Sequence, residues 1–261
     1  MNAFAQTSAW PTARRYALES KYEFLKLMRM PGYALPTITF PVMFYALFGL
    51  SFGGRFGSTS MAQYLLATYG TFGVIGAALF GFGVGLAVER GQGWLSLKRA
   101  TPMPPMAYFV AKLAVCLIFG AVVVALLSIL AAAFGNVHLA PTSWLRLWAT
   151  LILGAAPFCA LGLVIGYFAG PNSAPALVNV IYLPSGFLSG LWMPIEALPR
   201  ALQEIALFLP PYHLGQLALQ AVGAGRGGTP WMHVGVLAVF TVAALAVALW
   251  GYRRADDRAW G

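Results

Sequence analysis

The chain has 261 residues, of which 60% are hydrophobic and only 9% charged, with a formal net charge of +9. A soluble domain carries roughly a quarter charged residues, so this composition excludes an ordinary water-soluble fold and predicts an integral membrane protein. In that setting the basic excess reports on the orientation of apolar spans and not on nucleic acid.

In chain order, residues 1–30 carry charge almost to Pro31 and hold no uninterrupted apolar stretch, so they do not read as a cleavable signal. Residues 13–30, ARRYALESKYEFLKLMRM, place Leu18, Tyr22 and Leu25 on one helical stripe and Arg15, Glu19, Glu23 and Lys26 on another. That pattern predicts a helix in the membrane interface, with its apolar face down and its cations toward anionic headgroups; a solvated helix is the alternative. Pro31-Gly32 ends it and turns the chain into the membrane. Residues 1–32 are thus expected to form a tail and interface helix, and 33–261 a transmembrane domain.

A span needs about 20 apolar residues. Six stretches qualify, near 33–51, 61–88, 107–134, 144–169, 173–193 and 231–252, which makes the expected fold class an all-α membrane protein with six transmembrane helices. Arg14, Arg15, Lys21, Lys26 and Arg29, then Arg90, Lys98, Arg99 and Lys112, then Arg253, Arg254 and Arg258 fall on one side. Arg55, Arg146, Arg200 and Arg226 fall on the other, so the positive-inside rule places both termini in the cytoplasm.

Span two carries Gly73, Ala77, Gly81 and Gly85, and span four Gly162, Gly166 and Gly170, each four residues apart. Small residues at that spacing let membrane helices approach closely. Between spans two and three, ERGQGWLSLKRATPMPP (89–105) forms about two helical turns bounded by Gly91, Gly93 and three prolines. Trp94, Leu95 and Leu97 beside Lys98 and Arg99 make an apolar knob with a cationic rim, suited either to a groove on another protein or to anchoring in the interface. Residues 184–220, punctuated by Pro194, Pro199, Pro210 and Pro211, set Glu196, Arg200 and Glu204 on one stripe and Leu198, Leu202, Ile205 and Leu209 on another. Short re-entrant helices fit this pattern, because a continuous seventh span would bury three charges.

The chemistry the chain lacks is as informative. No ionisable residue is expected near a midplane, since Lys112, Arg146 and His233 lie within a turn or two of a span end, where long side chains reach the interface. Cys116 and Cys159 read as buried structural thiols, and His138, His213 and His233 are scattered, so no metal site is expected. No GxxxxGK[ST] loop, GxSxG elbow, HExxH motif or carboxylate pair is visible, so the chain is not expected to be an enzyme and any uphill transport must be driven by a partner.

VERGQGWLSLKRATPMPPMAYFVAK, FLSGLWMPIEALPRALQEIALFLPPYHLGQLALQ and the amphipathic lead into Pro31 together resemble the permease subunits of ABC-2 type ATP-binding cassette exporters, over essentially the whole chain. The resemblance implies a bacterial inner-membrane, multi-pass permease that pairs with a second copy or a close relative and with two P-loop ATPase subunits. ATP and Mg would sit on those partners, with no cofactor on this chain. It implies that Glu89, Arg90, Trp94, Leu95, Leu97, Lys98 and Arg99 form the coupling helix seated in the ATPase, with the interface helix (Arg15, Leu18, Tyr22, Leu25, Lys26) beside it. Phe40, Phe44, Tyr182, Phe187 and Trp192 are candidates for a path taken by an amphipathic drug, antibiotic or lipid-like cargo, although membrane aromatics more often serve packing. A channel or scaffold that needs no ATPase, and an intramembrane enzyme, are the competing readings.

Overall fold

The structure is a computed structural model that describes residues 12–29, 31–51, 54–56, 59–99, 105–225 and 228–257. Pro102, Pro104, Arg226 and Arg258, and the side chains of Lys98 and Arg99, lie outside what is described.

Helix α1 (Thr12–Met28) leads into α2 (Pro31–Phe44), which continues through a π-helical stretch, Tyr45–Leu50. A two-residue hairpin follows, β1 (Arg55–Phe56) and β2 (Thr59–Ser60), antiparallel with Arg55 opposite Ser60. Among the described residues this ribbon is the departure from the all-helical expectation. Ser60 then caps α3 (Met61–Ala78) by accepting the Gln63 N–H at 3.2 Å. Through the π-helical stretch Leu79–Val84 and α4 (Gly85–Gly91) this becomes one helix, Met61–Gly91, apolar all round and buried from Tyr64 through Leu79. It is the axis of the bundle.

Around that axis stand α5 (Trp94–Arg99), α6 (Pro105–Ala133) and the pair α7 (Pro141–Leu153) and α8 (Ala156–Phe168), broken at Gly154-Ala155 just ahead of Pro157. They are followed by α9 (Ala174–Leu188), a 3-10 turn at Ile195–Ala197, α10 (Arg200–Ala206), α11 (Pro210–Ala221) and α12 (Pro230–Asp257). Helix α3 packs against α2, α6 and α11, α8 packs against α4 and α12, and α1 lies along α6.

Among the described residues, five helical stretches are long and apolar enough to span a bilayer: Tyr33–Leu50, Met61–Gly91, Met106–Ala133, Pro141–Phe168 and Pro230–Arg254. The sixth expected span, 173–193, is the 15-residue α9. At 1.5 Å per residue it reaches about 22 Å, short of the roughly 30 Å of hydrocarbon. Its end is local chemistry: Gly190 turns left-handed at φ 71°, and Leu191 N–H closes on the Gly186 carbonyl at 3.0 Å. In the segment that follows, Glu196, Arg200 and Glu204 are exposed, whereas α11 is buried from Pro211 to Gln216 and packs against α3, α7 and α12.

Candidate functional site

At the α5 end of the bundle, three helices converge on a cluster of four charges, three of them buried and the fourth, Lys26, at its rim. Lys112 of α6 places its ammonium 2.8 Å from Glu23 Oε1 of α1 and 3.1 Å from Glu89 Oε1 of α4, with its side chain only 1% exposed. Lys26 bonds Glu23 at 2.7 Å and also reaches Glu89. The Tyr108 hydroxyl donates to Glu89 Oε2 at 2.6 Å. Two carboxylates and two ammoniums balance, which is the condition for burying charge at tolerable cost.

This corrects the expectation that Lys112 would reach out to the interface. The residue lies about 10 Å along α6 from its start, and its ammonium turns inward because α1 covers it. Phe24 of α1 packs on Phe119 of α6 (centroids 5.9 Å), and Leu27 is buried with Tyr33, Val115 and Phe119. On α1, Glu23 and Lys26 therefore face the protein, Leu18 and Leu25 are half-buried, Arg15 is half-buried, and Tyr22 is 64% exposed.

The next residue, Arg90, reaches in the other direction. Its guanidinium donates to the carbonyls of Tyr167 and Ala169, the latter at 2.7 Å, at the C-terminal end of α8, where helix carbonyls lack intrahelical partners. Glu89 and Arg90 thus tie the chain just ahead of α5 to α1, α6 and α8. Within α5, Leu95 packs against the buried group Leu86, Tyr108, Tyr167 and Ala248, while Trp94 (52% exposed) and Leu97 (63% exposed) point away. The seven residues grouped by sequence are therefore split: Glu89, Arg90 and Leu95 hold the helix, Trp94 and Leu97 face outward.

The small-residue stripes lie at helix contacts. A methyl at Gly73 would come within 2.9 Å of Pro41, one at Gly81 within 2.7 Å of Cys116 Sγ, and one at Gly85 within 3.3 Å of Lys112 Nζ, while Ala77 is fully buried. Gly162 and Gly166 sit on Phe82 and Leu86 at 2.7 Å and 2.6 Å. Gly170 stands beyond α8 and meets only Ser173 Oγ, at 3.5 Å. Cys116 and Cys159 are buried free thiols.

A groove of about 870 Å³ opens between α2, the α3–α4 axis and α9. Phe40, Phe44, Phe72, Tyr182 and Trp192 line it, with Arg29 among the lining residues from the end of α1. Phe44 stacks on Trp192 (5.6 Å) and Phe72 on Tyr182 (4.1 Å), whose hydroxyl donates to the Phe72 carbonyl at 2.9 Å. The buried indole N–H of Trp192 meets no acceptor. Phe187 is not part of the lining and is 38% exposed.

Residues 16–222 match the profile of the family described as ABC-2 type transporter. The chain belongs to that family. Over 225 residues it is 28% identical to the protein named "Putative transport permease YvfS" of Bacillus subtilis (strain 168), covering 85% of this chain and 90% of that one. It is also 32% identical over 127 residues, 47% of each chain, to "Nodulation protein J" of Rhizobium leguminosarum bv. viciae. As an ABC-2 transporter chain it is a multi-pass membrane transport protein of permease type.

Two features of this ABC-2 chain escaped the sequence reading. The charge cluster joins Glu23, Glu89 and Lys112 across up to 89 positions, beyond any helical period. His213 and His233, which look scattered, stand side by side with Nδ1 atoms 2.8 Å apart. Among the described residues no three metal-ligating side chains gather.

Proposed function

We propose that this chain is the permease subunit of an ATP-driven exporter, working as a pair of copies with two P-loop ATPase subunits docked on α5. The observation that carries the reading is the fixing of α5: its outward Trp94 and Leu97 are exposed, while the residues just before them are bonded to α1, α6 and α8. A load applied to an exposed apolar helix held in this way passes to three helices at once. Closure of a partner on Trp94 and Leu97 would therefore swing the bundle as packed bodies instead of bending one loop.

On this reading the α5 end and both termini face the cytoplasm, in a bacterial inner membrane, and α9 is the sixth, short crossing, with α10 and α11 near the exit side. The aromatic groove takes the cargo. An apolar body stacks between Phe44, Phe72, Tyr182 and Trp192, an acceptor atom meets the Trp192 N–H, and Arg29 favours an anionic or strongly dipolar head. That chemistry is an amphipathic drug or lipid-like molecule. The faces of α2 and α9 beside the groove expose Leu35, Phe40, Met43, Leu177, Val180 and Leu183 for the second copy and for lipid.

The test is a complex with a P-loop ATPase subunit in proteoliposomes, scored by ATP-dependent movement of a fluorescent amphiphilic dye and by ATP hydrolysis. The Trp94→Ala, Leu97→Ala double variant is expected to lose dye export while the partner's basal hydrolysis persists. Unchanged export would remove α5 from the coupling path.

A further inference from the structure

At the end of the bundle opposite α5, a second titratable group lies outside everything assigned above. His213 of α11 and His233 of α12 are 2% and 0% exposed, their ring centroids 5.1 Å apart and their Nδ1 atoms 2.8 Å apart. His213 Nε2 stands 2.9 Å from the Leu207 carbonyl oxygen. A carbonyl only accepts, so this Nε2 bears the proton. The neutral ring then has a lone pair at Nδ1, which must accept the Nδ1–H of His233. The arrangement is directional, running from α12 through α11 to the turn after α10, and it leaves no room for another proton between the rings.

Among the described residues no carboxylate bonds to His213. Tyr212 lies at 5.4 Å and 6.1 Å from the two imidazoles, its phenol held neutral by burial and by the charge of Glu196 on the 3-10 turn. Helix α10 brings Arg200 and Glu204, both exposed, and α7 brings an exposed Arg146. Helix α3 contributes only the tyrosines Tyr64 and Tyr69, and α12 has no other ionisable side chain before Tyr252. Burial foremost, and the neighbouring His233, push the His213 pKa down, against the Leu207 hydrogen bond that raises it.

We propose that the His213–His233 contact is a proton-sensitive latch: the pair holds with one proton between the rings, and the uptake that leaves both imidazoles charged sets two Nδ1–H groups against each other and releases α11 from α12. Release reaches the cargo groove, because Gly215 of α11 lies under Leu191, the residue before Trp192. The sign follows from linkage. The closed form, with a lowered pKa, binds fewer protons than an opened form whose histidine titrates near its ordinary value of about 6.5. The latch therefore holds above about pH 6.5 and weakens as pH falls below it. Between pH 7.5 and 5.5 the opening equilibrium rises about tenfold for one histidine.

Hydrogen exchange of the full chain in phosphatidylcholine nanodiscs, corrected for the chemical exchange rate, tests this without any ATPase or cargo. The opening of amides in 207–224 is expected to rise about tenfold from pH 7.5 to 5.5 while those of α6 stay constant. His213→Asn, whose Oδ1 still accepts from His233 but takes up no proton, should abolish the step, and His138→Asn, at an exposed site, should keep it. No step in the wild type, an equal step in His213→Asn, or acceleration spread over every helix would overturn the proposal. If His213→Asn does not fold, imidazole nitrogen NMR of the wild type decides: a His213 midpoint below the ordinary value of about 6.5 supports the latch, and a midpoint at or above it refutes it.

Discussion

Replacing Lys112 with methionine removes one ammonium from a cluster of two carboxylates and two ammoniums while keeping the volume of the side chain. Lys112 lies within 2.8 Å of Glu23 and 3.1 Å of Glu89 at 1% exposure, and the remaining cation, Lys26, is 39% exposed and must serve both carboxylates. Breaking a buried pair by deleting one partner costs about 3–5 kcal/mol, because the other charge stays buried without compensation. For a chain of this size each kcal/mol lowers the melting temperature by about 2–4 °C, so Lys112→Met is expected to fall by roughly 6–20 °C. The measurement is thermal unfolding of the purified protein in a mild detergent, with Lys21→Met, at an exposed position of α1, as the charge-matched control. Adding Glu89→Gln restores neutrality, since Lys26 and Glu23 still pair, and is expected to recover a large part of the loss. A shift no larger than that of Lys21→Met, or a double variant worse than the single, would show that the cluster does not fasten α1 to α4 and α6.

Gly162→Ala should be destabilised by about 1–3 kcal/mol in the same melt. Its methyl would meet Phe82 Cβ at 2.7 Å and the backbone at Gly83 N (3.1 Å) and Ala78 O (3.2 Å), none of which is a flexible chain end, while Gly235→Ala, with nothing within 4 Å, should be neutral. Arg90→Ala leaves the Tyr167 and Ala169 carbonyls without their donor, a loss of about 1.5–3 kcal/mol. Arg90→Lys should recover only part of it, since one ammonium cannot span both oxygens as a planar fork does; faster hydrogen exchange at the end of α8 is the site-specific readout. The Trp94→Ala, Leu97→Ala variant that uncouples export should melt within about 0.5 kcal/mol of wild type, because both side chains are exposed. A large drop in its melting temperature would mean that α5 contributes to packing rather than to docking.

Much of this architecture was legible from residue type and period. Helix α3 is apolar on every side, which marks it as a span. The small residues every fourth position in 73–85, Gly73, Ala77, Gly81 and Gly85, mark a face where helices can come close. The short helix between glycine and proline breaks was legible too, but the knob it was expected to present is divided, since Leu95 packs inward while Trp94 and Leu97 are exposed. These features depend on neighbours within one or two turns, which is the range that helical periodicity reports.

The sequence by itself determined an apolar helical bundle with a charged end, because transfer of backbone and side chains into hydrocarbon is settled segment by segment. Only the tertiary structure decided which polar groups meet. Lys112, whose stem is long enough to reach water, turns inward because Glu23 arrives from α1, 89 positions away, and Glu89 from α4, 23 positions away. His213 and His233 acquire their shared hydrogen bond only when α11 folds back on α12. A buried charge or imidazole is stabilised by partners within about 3 Å, and that distance is fixed by how helices pack, not by where residues fall along the chain.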